Sequence, residues 1–244
     1  MDKINSTHSF PHNPPYQIIY AERIPLLHIF RTAVANLHSS KYEKGNTLSA
    51  NLHRFLELLR NSKTSYAAEC GIYLGNSLIA CAEIARESGL PIHLYGLDTF
   101  AGLPPLSEAD KLHAPEKAIY RDKVMFADTS IEEVQGKIDE RGLTKYITLI
   151  PGLFQDSFSK LPKTDYFFVN IDCDLYEPHL ECLEFFYSSM EPGGIIFFDD
   201  YHSVDYPMAR KAIDKYMKDR PEELFHLRFG GEKNNHTKAF MVKY

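Results

Sequence analysis

Tryptophan is absent from these 244 residues, and the four cysteines form no CxxC pair. Cys70, Cys81, Cys173 and Cys182 each sit inside an apolar strand or helix pattern, which predicts buried reduced thiols and argues against a disulfide framework. No apolar run approaches the ~18 residues of a membrane span, and the N-terminal stretch has no signal-peptide h-region. The expectation is a cytoplasmic protein with no membrane partner. A basic surplus is missing as well. Lys and Arg number 27 against 33 Asp and Glu, a formal net charge of −6, and no face-wide basic patch is left to hold a nucleic acid. The glycines spell neither a GxGxxG dinucleotide fingerprint nor the Gly-Lys-Ser/Thr of a P-loop.

What the chain does have is a repeated plan of buried strand followed by acids. Phe167-Phe168-Val169-Asn170-Ile171 is apolar, β-branched and aromatic, and it ends in Asp172 and Asp174. Downstream, Gly194-Ile195-Ile196-Phe197-Phe198 ends in Asp199 and Asp200. The segment from Pro178 to Ser189 is helix-length, enough for one right-handed crossover between parallel strands. Such a crossover brings all four acids to one sheet edge. Carboxylates crowded there repel one another unless some are protonated or a cation sits among them.

Taken in order, residues 1–19 read as an irregular arm, with Pro11, Pro14 and Pro15. Pro25 fits the first position of a helix to about Leu37, and a second helix is predicted over Leu48 to Arg60. Residues 1–60 thus form a helical appendage, a cover, lid or dimer contact, ahead of an α/β domain over 61–244. That domain starts with a strand at Tyr66 to Cys70, the turn Gly71-Ile72-Tyr73-Leu74-Gly75-Asn76-Ser77, and an apolar helix from Leu78 to Ser88. The strand Ile92 to Asp98 follows. Residues 99–129 are long and mixed, a functional loop or mobile lid. Ser130-Ile131-Glu132-Glu133 is a capping box opening a helix. A strand over Tyr146 to Ile150, a short helix over Asp156 to Leu161, a helix from Pro207 to Arg220 and a terminal hairpin around 230–235 complete the count. Five βα steps and a hairpin make one α/β domain with 44% apolar residues to fill its core.

The glycine turn lets a ligand approach a helix N-terminus, and Asp98 at the next strand tip can accept hydrogen bonds from ribose hydroxyls. Ser77 reads equally well as an ordinary helix N-cap. Together these residues favour an adenosine-containing ligand without a pyrophosphate.

Four motifs occur in order: Glu69-Cys70-Gly71-Ile72-Tyr73-Leu74-Gly75-Asn76-Ser77, Leu97-Asp98-Thr99-Phe100-Ala101-Gly102-Leu103-Pro104, Asp172-Cys173-Asp174-Leu175-Tyr176-Glu177 and Asp199-Asp200-Tyr201. Over roughly residues 60–220 the chain resembles the macrocin O-methyltransferase (TylF-like) family, which modifies sugar hydroxyls on antibiotics and related natural products. The resemblance implies a class I methyltransferase fold, a Rossmann-like sandwich on a seven-stranded, mostly parallel sheet whose last strand is antiparallel. It implies S-adenosylmethionine as donor and a divalent cation, magnesium in most of the family. Carried over, it makes Asp172, Asp199 and Asp200 metal ligands and Asp174 the general base. It puts Glu69, Gly71, Tyr73, Ser77, Asp98, Thr99 and Phe100 on the donor site, with Ser130, Gly152 and Phe154 around the adenosine. A homo-oligomer is implied as well. Departures are visible: Leu74-Gly75-Asn76 stands where the family has an arginine and paired glycines, Tyr73 where it tends to have tryptophan, and Pro178-His179 where Ser-Thr is usual.

The implied reaction is in-line methyl transfer to the hydroxyl of a sugar or glycosylated small molecule. An aliphatic hydroxyl is a poor nucleophile at neutral pH, and a hard cation with a nearby carboxylate base answers that need. Asp199 and Asp200 can serve one ion only if the strand has ended before them, because neighbouring residues of a strand point to opposite faces. Alternatives in the same fold are a catechol-type O-methyltransferase on an aromatic diol and a donor-binding protein without transfer activity. An NAD-linked oxidoreductase is disfavoured by the missing middle glycine.

Overall fold

Period-two alternation along the strands sorts the side chains into two layers, one on each face of a single sheet. The computed structural model describes residues 64–88, 91–116, 123–229 and 236–243. The helices expected before residue 61 and the turn expected at 230–235 lie outside these residues. The strands are β1 (Tyr66–Cys70), β2 (His93–Asp98), β3 (Ile147–Pro151), β4 (Tyr166–Ile171), β5 (Met190–Phe198), β6 (Leu224–Phe229) and β7 (His236–Val242). They run in the spatial order β3-β2-β1-β4-β5-β7-β6. The first five are mutually parallel, and β7 is antiparallel to both β5 and β6. The expected sheet, with its antiparallel last strand, is the one observed.

Helices α1 (Asn76–Ser88) and α3 (Ile131–Glu140) cover one face, burying Leu78, Ala82, Val134 and Ile138 against Ala67, Leu94, Phe168, Phe197 and Phe240. Helices α5 (Tyr176–Phe186) and α6 (Pro207–Met217) cover the other, burying Cys182, Leu183, Phe186 and Ile213 against Ala68, Val169, Ile196, Phe198 and Met241. Neighbours such as Phe197 and Phe198 thus serve opposite layers. Burying a side chain of that size contributes roughly 1.5–3 kcal/mol relative to leaving it in water. All four cysteines are free thiols; Cys70, Cys173 and Cys182 are buried as expected, whereas Cys81 on α1 is only partly buried. Among the described residues no helix is long and apolar enough to cross a membrane.

Sequence and structure part company at a few edges. The long stretch after β2 contains a helix, α2 (Glu108–His113), opened by a capping box in which Ser107 Oγ accepts from Asp110 N and the Asp110 carboxylate accepts from Ser107 N. Leu103, Leu106 and Phe126 of this stretch pack on Leu175, Tyr206 and Met208, so its described part is docked on a third small core. The short helix expected over 156–161 begins earlier, as α4 (Phe154–Ser157), and continues as a 3-10 turn over Phe158–Lys160. Strand β5 begins at Met190 rather than Gly194, its register with β4 shifting between Tyr166 and Phe168.

Candidate active site

A cleft of about 260 Å³ opens along the C-terminal edge of β1, β2, β3 and β4, where parallel sheets bind ligands. Its floor is the turn after β1. Gly71 adopts φ +88°, and its amide donates to Leu97 O at 2.8 Å. A Cβ on Gly71 would stand 1.7 Å from the Asp172 carbonyl oxygen. This glycine therefore does more than make room for a ligand: it lets the tip of β1 pass under the tip of β4.

Asp98, at the end of β2, accepts from Tyr73 N through Oδ2 at 2.8 Å and from Phe100 N through Oδ1 at 2.8 Å. Those bonds tie the loops after β1 and β2 to one carboxylate, and each oxygen keeps a second acceptor site. Thr99 Oγ1 donates to Gly102 O at 2.7 Å, closing the turn. Glu69 is buried on β1, where Ser77 Oγ donates to its Oε1 and Asn170 Nδ2 reaches the same oxygen at 3.0 Å. Gly71, Tyr73, Ser77, Asp98, Thr99, Gly152 and Phe154 line the cleft, together with Asp172 and Asp174. Glu69, Phe100, Ser130, Asp199 and Asp200 are outside its lining. Glu69 acts from behind through Ser77, Phe100 packs beside the first core, and Ser130 is the N-cap of α3, its Oγ accepting from Glu133 N at 3.2 Å.

The acids meet at the edge shared by β4 and β5. Strand β5 stops at Phe198, and Asp199–His202 form a 3-10 turn, so the condition for both acids to face one ion is met. Asp172, Asp199 and Asp200 each bring a carboxylate oxygen within 4.8 Å of the others. Asp174 is held at φ +62°, a left-handed conformation uncommon outside glycine, and its amide donates to Asp200 Oδ2 at 2.9 Å. Burial, and then the charges of Asp199, Asp200 and Asp174, push the Asp172 carboxyl well above the usual carboxylate range, while Lys238 pulls the other way. Oxygen donors of this number and charge suit a hard divalent cation.

Two histidines near the acids have structural partners. His179 is fully buried, donating from Nδ1 to Leu175 O at 2.8 Å and lying 3.3 Å from Cys173 Sγ. His202 shares a hydrogen bond with His226 at 3.0 Å, and burial lowers its pKa to about 4, so it is neutral near pH 7.

The sequence matches the macrocin-O-methyltransferase (TylF) family over residues 45–224. The chain belongs to that family. It is 26% identical over 150 residues to an 8-demethyl-8-(2,3-dimethoxy-alpha-L-rhamnosyl)-tetracenomycin-C 4'-O-methyltransferase of Streptomyces olivaceus, covering 61% of this chain and 56% of that one. Over 161 residues it is 25% identical to a mycinamicin III 3''-O-methyltransferase of Micromonospora griseorubida, covering 65% of this chain and 62% of the relative. Both matches thus span less than two thirds of the relatives' lengths. The structure of the O-methyltransferase NovP superposes with a TM-score of 0.64 at 22% identity, over 80% of this chain and 78% of that one. That likeness shows the class I methyltransferase fold.

Several residues of this family member's cleft were not among the site residues read from sequence, although Leu103 and Pro104 lie in a family motif. Leu103, Pro104 and Phe126 form the wall supplied by the stretch after β2, and Pro178 and Glu181 the wall supplied by α5. Asp110, buried at 1% exposure, accepts from Tyr176 N at 2.6 Å and so fastens α2 to the start of α5. Its pattern Ser107-x-x-Asp110 was readable as a capping box. Its second partner, 66 residues away, was not.

Proposed function

We propose that this TylF-family chain transfers a methyl group from S-adenosylmethionine to a hydroxyl of a sugar or glycosylated small molecule, with a divalent cation, magnesium first, at its acid cluster. The observation that carries this reading is the convergence of Asp172, Asp199 and Asp200 beside the cleft that Asp172 lines together with the Gly71 turn and Asp98. In this reading Asp98 accepts the ribose hydroxyls, Ser77 and the amides at the start of α1 meet the amino-acid end of the donor, and Gly152 and Phe154 flank the adenine. Glu69 holds Ser77 in place. Phe100 and Ser130 serve indirectly, one by its amide on Asp98 and the other by fixing α3.

Asp172, Asp199 and Asp200 would hold the cation, which when bound supplies charge stabilisation to an ionising hydroxyl. Asp174 lines the cleft and is held in place by Asp200, positioned to take the proton of the acceptor hydroxyl. Leu103, Pro104 and Phe126 form an apolar wall that keeps water from the transferring methyl. The names of the two relatives place the methyl on 4' and 3'' oxygens, which favours a sugar acceptor here too.

The test is calorimetric titration of S-adenosylhomocysteine into chelator-treated full-length protein, repeated with magnesium and with Asp172→Asn. Donor binding in both proteins, with a separate magnesium heat only in the wild type, is expected. Failure of folded wild-type protein to bind S-adenosylhomocysteine would remove the donor assignment, and a magnesium heat that survives Asp172→Asn would remove the metal assignment. A screen of glycosides and catechols then fixes the acceptor class.

A further inference from the structure

Helix α5 turns one stripe of side chains toward the donor part of the cleft. Pro178, Glu181 and Phe185 recur at spacings of three and four, which puts them on one side of the helix. Aromatic rings fix the direction of that side. Phe185 stacks on Phe158 with centroids 4.4 Å apart, and Phe158 stacks on Phe154 at 5.4 Å with the ring planes 7° from parallel. The column holds α5 against α4 and the turn after β3, so Glu181 stands in the cleft wall beside Gly152, Leu153 and Phe154.

None of the roles assigned above uses this acid. Asp98 already accepts two backbone amides, whereas Glu181 has no hydrogen-bonding partner among the described residues. Burial, and then the negative charges of Glu177, Glu184 and Asp156, push its carboxyl above the usual carboxylate range, so a ligand N–H would relieve it. The other side chains of this wall, Leu153, Phe154 and Pro178, offer surface for a flat ring but no means of telling one purine from another.

We propose that Glu181 reads the base of the donor: its carboxylate accepts from the adenine 6-amino group while Phe154 packs the ring. This rests on the donor reading above and is independent of the cation. The 6-amino group is the exocyclic N–H donor of adenine, and the ring nitrogens on either side of it only accept, so a carboxylate facing that edge has this group to bind. A site built to hydrogen-bond a ligand N–H rejects an analogue without it far more strongly than an apolar pocket does. Glu181 is therefore the residue that makes the cleft select an adenosyl donor.

The experiment is calorimetric titration of chelator-treated full-length protein with S-adenosylhomocysteine and with its desamino analogue, in which hydrogen replaces the 6-amino group. Wild type should favour S-adenosylhomocysteine by about tenfold or more, and Glu181→Ala should bind the two within about twofold of each other. Glu181→Gln, which keeps an accepting oxygen but not the charge, should retain a preference of about threefold. A merely structural glutamate would weaken both ligands alike and leave their ratio unchanged. Equal binding of the two by wild type, or a tenfold preference that survives in Glu181→Ala, overturns the inference. Should Glu181→Ala fail to fold, an undiminished ratio in Glu181→Gln overturns it and a reduced one supports it. If folded wild type binds neither ligand, the donor reading fails and this inference with it; if it binds S-adenosylhomocysteine and only the role of Glu181 fails, the donor reading stands.

Discussion

The two ends of the cleft solve opposite electrostatic problems. At the β2 tip, Asp98 is a lone acid whose two oxygens both accept backbone N–H groups, from Tyr73 and Phe100. Its charge is answered by its own loops, and those bonds set the loop shape before any ligand arrives. At the β4 and β5 tips, Asp172, Asp199 and Asp200 converge within 4.8 Å, and Asp172 responds to burial and to its neighbours by favouring the protonated form. The first end is preformed by hydrogen bonding. The second is a concentration of charge that Lys238 offsets only in part. A fixed organic ligand suits the one and a mobile cation the other. Both ends also hold residues in left-handed conformations, Tyr73 at φ +47° and Phe126 at φ +59° near the first and Asp174 at φ +62° in the second, the kind of local strain that clusters where function is built.

Gly71 is where the two ends touch, so altering it breaks both at once. In Gly71→Ala the new methyl would collide with the Asp172 carbonyl oxygen at 1.7 Å, and φ +88° is strained for any L residue. Neither atom is the free end of a flexible side chain, so the strands must separate. A loss of about 3 kcal/mol or more in unfolding free energy is expected, read by denaturant melts. A variant with wild-type stability and donor affinity would show that the β1 and β4 tips can part without cost, and would undo the claim that one glycine sets both ends.

Asp98→Ala separates them. Removing the carboxylate leaves the Tyr73 and Phe100 amides without an acceptor and takes away the proposed ribose partner. S-adenosylhomocysteine affinity should fall about 50-fold, roughly 2–3 kcal/mol, while divalent-ion binding at the other end stays within about threefold. Equal losses at both ends would mean that the cleft behaves as one coupled unit rather than two.

How far the sequence foretold this division depends on whether a contact is local. The strands themselves and the acids at two neighbouring tips follow from apolar patterning and the crossover rule, whereas the seven-stranded sheet with its antiparallel last strand was implied by the family resemblance. The cleft-lining Gly71, Ser77 and Asp98 were legible because a turn between strand and helix announces itself by its glycines. Lys238 was not, because nothing near it in sequence says which β5 residue it will oppose; only the β5–β7 register does. Asp110 was missed for the same reason, its decisive bond being to Tyr176. Glu69 was named as a donor-site residue through the resemblance, but its position was not legible: it bonds Ser77 and Asn170 and lies off the cleft wall.

Asp110 sharpens the comparison on the acid side. Its carboxylate caps α2 through Ser107 and accepts from Tyr176 N, two residues past the proposed base Asp174. In Asp110→Ala the Tyr176 amide is left buried without its acceptor and α2 loses its capping box. A stability loss of about 2 kcal/mol is expected, with kcat falling and donor affinity holding. Loss of donor affinity with kcat preserved would place Asp110 with the Asp98 end instead.

The smallest effect expected comes from behind the acid side, and it depends on pH. Burial, and then the nearby charges of His202 and Arg210, lower the His226 pKa to about 3. Its ring hydrogen bonds to His202 and packs on Tyr201, whose hydroxyl donates to Asp214 Oδ1 at 2.5 Å. The unfolded chain protonates a histidine near pH 6.5. Between about 6.5 and 3 it therefore binds a proton that the folded chain refuses, and folding stability falls as pH drops through that window. Asp172 works with the opposite sign: its raised pKa disfavours the fold at neutral pH and the penalty is relieved on acidification. Comparing wild type with His226→Phe cancels the Asp172 contribution and leaves that of His226. Relative to wild type, the variant should gain about 1 kcal/mol between pH 7 and about pH 5.7, measured by urea melts in chelator. A pH-independent difference would mean that His226 takes up its proton in the folded chain, and that water reaches this corner despite its burial.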